Sequence, residues 1–98
     1  MARINWTREA QTWLRDIFDF IAKDNQGAAA QVLDGIYERA QILIQFPRAG
    51  YRYEGVLDRE VRVLLYGHYR IAYGVRSEEE IDILGVFHGA LDIQRYLM

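Results

Sequence analysis

Two side chains of this sequence have the chemistry that cleavage of a phosphodiester requires. His88 ends the apolar segment DILGVFH, and imidazole is the side-chain group that most often transfers protons in enzymes at neutral pH. Arg70 lies in the alternating segment YRIAYGV, and a guanidinium can bind a phosphate through two parallel hydrogen bonds. If both act on one phosphate, Arg70 and His88 are the candidate catalytic residues of a nuclease.

The remaining parts of a nuclease are harder to find. RNA cleavage also needs a general base, and Glu54 and Glu60 are both explained more simply as solvent-facing residues. His88 has a structural alternative, in which it ends a strand and its ring bonds a backbone carbonyl or Asp92. The sequence therefore favours a protein that acts by binding over an enzyme, with endoribonuclease activity as the alternative.

The arginines and tyrosines of the second half suggest a binding surface. Six arginines between residues 48 and 76 accompany only three acidic residues, although the whole chain has a net charge of −2. Arginine and tyrosine are enriched at the centres of protein interfaces. The candidate target-binding residues are Arg59, Arg62, Arg70, Arg76, Tyr66 and Tyr73.

Composition limits the class of protein. Ninety-eight residues, 51% of them hydrophobic, predict one globular domain over residues 1–98. The absence of cysteine excludes disulfides and thiolate metal sites. His68 has no second ligand at metal-binding spacing, so neither a metal nor a cofactor is expected. No segment approaches the roughly 20 apolar residues of a membrane span, and the expected location is the cytoplasm.

Hydrophobic periodicity predicts the elements that would position these residues. Arg3–Trp6 alternates as a first strand, and Thr7 suits the N-cap of a helix that ends near KDNQG. A second helix begins near residues 27–29 and ends before Pro47. Gly67 and His68 form a predicted two-residue turn between strands. The three later strands are predicted over Arg59–Tyr66, Tyr69–Val75 and Ile81–His88.

The predicted fold is α+β in the order β-α-α-β-β-β. An N-terminal strand and a three-stranded antiparallel meander form one curved sheet, with an antiparallel helical hairpin on one face. The last strand is apolar on both faces at its centre and is expected to be the central one. Residues 92–98, DIQRYLM, could add a short C-terminal helix.

This order of elements, with four sequence segments in it, resembles the RelE/ParE superfamily of toxins from bacterial type II toxin–antitoxin systems. The similarity is closer to ParE-like members, which share the ending HGALD at residues 88–92. The matching segments are INWTREAQTWLRDIFDFIA, AQILIQFPRAGY, GHYRIAYGV and IDILGVFHGALD.

The resemblance implies a growth inhibitor that a cognate antitoxin neutralises, with a toxin–antitoxin hetero-oligomer as one consequence. ParE-like members bind DNA gyrase, which is the expected target, whereas RelE-like members cut mRNA on the ribosome. In the RelE-like alternative Arg70 matches a phosphate-binding position and His88 a catalytic one. A third alternative is a degenerate member that binds an antitoxin without toxicity. Fold alone does not decide among them.

Overall fold

The computed structural model describes residues 1–89, in which two helices pack on one face of a five-stranded sheet. The α+β class, the helical hairpin and the antiparallel meander are confirmed. The helix expected over residues 92–98 lies outside the described residues. The elements in chain order are β1 (Arg3–Trp6), α1 (Arg8–Ala22), α2 (Gln26–Ala40), a 3₁₀ turn (Gln41–Ile44), β2 (Tyr51–Arg52), β3 (Val61–Tyr66), β4 (Tyr69–Ser77) and β5 (Glu80–His88).

Side-chain caps set the start of each helix. The Thr7 hydroxyl accepts a hydrogen bond from the Ala10 amide at 3.2 Å and donates one to the Ile83 carbonyl at 2.6 Å. The Asn25 side chain caps α2 by accepting from the Ala28 amide at 2.9 Å. Because Thr7 bonds both helix and sheet, it fixes where β1 ends and α1 begins. None of the helices within residues 1–89 has the length and apolarity of a membrane span.

The sheet has the order β1-β5-β4-β3-β2 and is mixed rather than wholly antiparallel. Arg3 pairs with Glu80 and Trp6 with Ile83 in parallel, so β1 forms one edge beside β5. The expectation that β5 is the central strand was wrong by one position, since β4 is central and β5 lies next to it. The β5 sequence is apolar on both faces because side chains from β5 enter an apolar cluster on each face of the sheet.

Glycine and a short extra strand shape the other half of the sheet. Gly67 opens the turn between β3 and β4 with a φ of 57°, a conformation that other residues rarely adopt. The turn therefore has its predicted position and its predicted glycine. The strand β2 was not predicted, because two residues are too few to show an alternating pattern; Tyr51 pairs with Val63.

Apolar clusters cover both faces of the sheet. The larger lies under the helices, where Leu14 of α1 and Ile36 of α2 pack against the strands. The smaller lies on the opposite face and contains Phe87 and Val56, a residue of the segment between β2 and β3. This second cluster holds the segment between β2 and β3 against the sheet. It therefore also fixes the positions of the exposed residues in that segment.

Candidate functional site

Arg70 and His88 project from opposite faces of the sheet. Arg70 of β4 pairs with Phe87 of β5, and Tyr69 pairs with His88. Successive side chains of a strand alternate between the two faces, so Arg70 shares a face with Phe87 and His88 shares the other with Tyr69. The Tyr69 and His88 ring centroids lie 6.0 Å apart. Among the described residues, the register does not direct Arg70 and His88 towards one phosphate.

His88 is exposed, and its surroundings are aromatic and apolar. Its ring centroid lies 6.3 Å from that of His68. It also borders an open pocket of about 410 Å³, whose described lining contains one carboxylate, Asp16, and no lysine or arginine. Such a lining lacks the positive charge that stabilises a phosphate in its transition state. The predicted bond from His88 to Asp92 lies outside the described residues.

Arg62 is engaged in holding the backbone of the chain that precedes β2. Its Nε donates to Glu60 at 2.7 Å and its Nη1 donates to the Gly50 carbonyl at 2.8 Å. Arg48 donates to the same Glu60 carboxylate through Nε at 3.0 Å and Nη2 at 3.2 Å. The Arg62 side chain is only 19% exposed. Its contacts are therefore those of a structural residue in the isolated chain.

Glu60 is the residue whose ionisation this network controls. The hydrogen bond from Arg62, followed by those from Arg48, lowers the pKa of the Glu60 carboxyl, while burial opposes this change. Because the folded pKa lies below the unfolded value of about 4.3, the ionised carboxylate stabilises the folded state. This stabilisation is complete above the unfolded pKa and is lost as the pH falls through the lower folded pKa.

Replacing Glu60 with glutamine is expected to lower the free energy of unfolding by about 1–2 kcal/mol at neutral pH. Between pH 5 and pH 3, roughly one unit either side of the unfolded pKa, the variant should also lose less stability than the parent. The reason is that the variant has no carboxyl group at position 60 to be protonated. Urea unfolding across this range measures both effects. Glu54→Gln, at an exposed position nearby, is the matched control, and equal acid sensitivity of the Glu60 variant and the parent would contradict the role of Glu60.

Arg76 is partly exposed but is paired with acidic residues of the neighbouring strand. Its Nε lies 2.7 Å from Asp82 and its Nη2 lies 3.3 Å from Glu80. Arg3 of β1 also forms an ion pair with Glu80. These pairs link β1, β5 and the end of β4, and they partly neutralise the positive charge of Arg76.

The two candidate tyrosines differ in accessibility. Tyr73 is fully buried and its hydroxyl accepts a hydrogen bond from the Gly50 amide at 2.9 Å. Burial raises the pKa of Tyr73. Because Tyr73 is buried, it is not accessible to a binding partner in the isolated chain. Tyr66 is partly buried and approaches Gly35 so closely that a side chain at position 35 would overlap its ring.

Arg59 is exposed in the segment between β2 and β3, and this segment together with β2 carries a group of accessible side chains. Leu57 is 86% exposed and Tyr51 is 47% exposed, and Arg52 is exposed as well. Periodicity did not single out Leu57, because a loop leucine looks like any core residue in a sequence. The fold separates the two neighbours, with Val56 buried in the second apolar cluster and Leu57 exposed to solvent.

Comparison with known proteins identifies a family. The family "ParE toxin of type II toxin-antitoxin system, parDE" matches residues 4–93. A solved structure, "Chromosomal ParDE TA system from P. aeruginosa", has the same fold, with a TM-score of 0.73, 24% identity, and coverage of 90% of this chain and 96% of that chain. No curated protein sequence matches the chain. Because the family match spans nearly its whole length, this chain belongs to the ParE toxin family of type II toxin–antitoxin systems.

Proposed function

We propose that this ParE-family toxin inhibits DNA gyrase by binding it, without catalysing a reaction of its own. Family membership supports a toxin of the ParE kind. The register of β4 and β5 supports a binding mechanism, because Arg70 and His88 project from opposite faces. A ribonuclease would need those two groups to converge on one phosphate.

The mechanism would be selection of one gyrase state. A bound protein can shift a conformational equilibrium only by its difference in affinity for the two states. A toxin that binds one intermediate of the gyrase cycle more tightly than the others would therefore accumulate that intermediate. Such a toxin needs a rigid, accessible surface and no catalytic group.

The segment from Tyr51 to Arg59 is the surface that best fits this task. It presents Leu57, Arg59 and Tyr51 to solvent, and Val56 fixes it on the sheet. Tyrosine and arginine are enriched among interface hot-spot residues, and the exposed Leu57 adds apolar surface for a partner to bury. We propose Arg59 as its principal charged contact, with Arg76 at the periphery, and Arg62 as a residue that positions the segment.

A cognate antitoxin is the second proposed partner, and the proposed place of action is the cytoplasm, where the target would be. The neighbouring solved structure is a ParDE system, which supports a toxin–antitoxin hetero-oligomer. Phe20 is 74% exposed beside the pocket that Trp13 and Ile17 line. An amphipathic antitoxin segment that folds on binding would cover such apolar side chains.

A supercoiling assay with purified gyrase tests the proposed function. The chain should inhibit supercoiling at a modest molar excess, and the double substitution Leu57→Ala, Arg59→Ala should weaken inhibition at least tenfold, about 1.4 kcal/mol of interface energy. Arg15→Ala, at an exposed position on α1, is the matched control and should inhibit normally. Thermal unfolding of each variant verifies that it is folded.

Three results would contradict the proposal. Uninhibited supercoiling at large toxin excess would remove gyrase as the target. Ribosome-dependent mRNA cuts that disappear in Arg70→Ala and His88→Ala would establish the RelE-like alternative instead. Normal cell growth during expression without any antitoxin would indicate a member that has lost its toxicity.

A further inference from the structure

The fold brings the only two histidines of the chain together at one corner of the sheet. His68 is the second residue of the turn between β3 and β4, and His88 ends β5. The Gly89 amide donates to the His68 carbonyl at 2.7 Å, which fixes the two backbones side by side. Both side chains are exposed, their ring centroids lie 6.3 Å apart, and their planes are inclined by 23°.

This separation is close to that of two imidazoles that share a metal ion. A metal–nitrogen distance of about 2.0–2.1 Å places the ring centroids roughly 5–6 Å apart, depending on the angle at the metal. The observed 6.3 Å is slightly longer than this range. Binding of one ion by both rings therefore requires a change of side-chain rotamer at His68, at His88 or at both.

We propose that His68 and His88 form a two-imidazole site for a late first-row transition-metal ion, namely Zn²⁺, Ni²⁺ or Cu²⁺. Imidazole nitrogen is a preferred ligand for these ions, whereas Mg²⁺ and Ca²⁺ prefer oxygen. With no cysteine in the chain, these two rings supply its only side-chain ligands of this kind. Asp16, which lines the same pocket as His88, adds negative charge nearby.

The site leaves coordination positions open. Within residues 1–89 no cluster of three or more His, Cys, Asp or Glu side chains is arranged to hold a metal. Two protein ligands therefore leave the other positions to water or to a ligand from a bound molecule, as in an exchangeable site. A bound ion would tie the β3–β4 turn to the end of β5 and stabilise that corner of the sheet.

Isothermal titration of the chain, carrying no added histidine tag, with chloride salts of Zn²⁺, Ni²⁺, Cu²⁺ and Mg²⁺ tests the site. The structure predicts one bound ion per chain, Cu²⁺ tighter than Ni²⁺ and Zn²⁺, and no detectable Mg²⁺ binding. His68→Asn and His88→Asn should each lower the Zn²⁺ affinity at least tenfold, and the double variant should not bind. In NMR spectra, Zn²⁺ should shift the ring protons of both histidines together.

The control variant replaces two carboxylates with amides and keeps both histidine rings. Glu78→Gln combined with Glu79→Gln should bind Zn²⁺ as the parent does, because these exposed acids lie in the turn between β4 and β5. Undiminished Zn²⁺ binding by the double histidine variant would overturn the proposal. So would a result in which only one of the two single histidine substitutions matters, because the site requires both rings.

Discussion

Replacing Phe87 with alanine is expected to lower the free energy of unfolding by about 3–5 kcal/mol. The Phe87 side chain is 1% exposed, and its ring meets that of Trp13 edge to face with centroids 4.6 Å apart. Alanine would leave a cavity between Trp13 and the second apolar cluster. Urea unfolding followed by tryptophan fluorescence measures the loss, and the signal of Trp13 should change in the folded state as well.

The neighbouring residue provides the control. His88 is exposed on the other face of the sheet, so His88→Ala should change the free energy of unfolding by less than about 1 kcal/mol. The two substitutions together test the strand register that separates His88 from Arg70. A larger loss at position 88 than at position 87 would show that the two side chains face the opposite way, and the argument against a joint catalytic role would then fail.

Gly50→Ala is expected to destabilise the protein by about 3 kcal/mol, at the upper end of typical overpacking costs. A Cβ atom at position 50 would lie 2.6 Å from the Val63 carbonyl oxygen and 2.9 Å from the Tyr73 ring. The backbone of β3 cannot move away without breaking its pairing with β4. The same residue donates to Tyr73 and accepts from Arg62, so both hydrogen bonds would be strained.

Gly74→Ala is the matched control for this substitution. Gly74 is also buried in the sheet, but the atoms nearest to a Cβ added at this position lie 3.8 Å and 3.9 Å from it. The expected change is within about 1 kcal/mol and can be stabilising, because alanine restricts the unfolded chain more than glycine does. Thermal and urea unfolding compare the two variants, and equal destabilisation would mean that the contact with Val63 does not explain the effect.

The sequence predicted those features that have a strong local signal. The start of α1 followed from Thr7, whose hydroxyl caps the helix, and the turn at Gly67 followed from the need for a positive φ. Alternating apolar residues located β3 and β4, and a run that is apolar on both faces located β5, each to within two residues. Each of these signals acts over a few neighbouring residues, and tertiary packing reinforces them here.

Long-range pairing could not be read from the sequence in the same way. The segment Arg3–Trp6 has no local feature that specifies a parallel partner at residues 80–83. Which residues are accessible to a binding partner also depends on contacts between distant parts of the chain. Arg62 and Tyr73 look like interface residues by type, yet the loop before β2 buries Tyr73 and engages Arg62. Their role depends on what folds over them, which residue type does not encode.

The histidine pair illustrates the same limit at a site. In the sequence His68 and His88 are far apart and have no recognisable ligand spacing. The antiparallel register brings Tyr69 opposite His88, and the turn then carries His68 alongside. Cross-strand neighbours of this kind are visible only after the register is known.

The parallel pairing of β1 with β5 has a consequence for biosynthesis. Arg3 and its partner Glu80 are 77 positions apart in the sequence, so β5 is translated after β1, both helices and the other strands. The helical hairpin can form early on the nascent chain, but the sheet cannot close until β5 has emerged. A translation product truncated before β5 would therefore lack the finished sheet, and the toxin would become competent only after β5 has been synthesised.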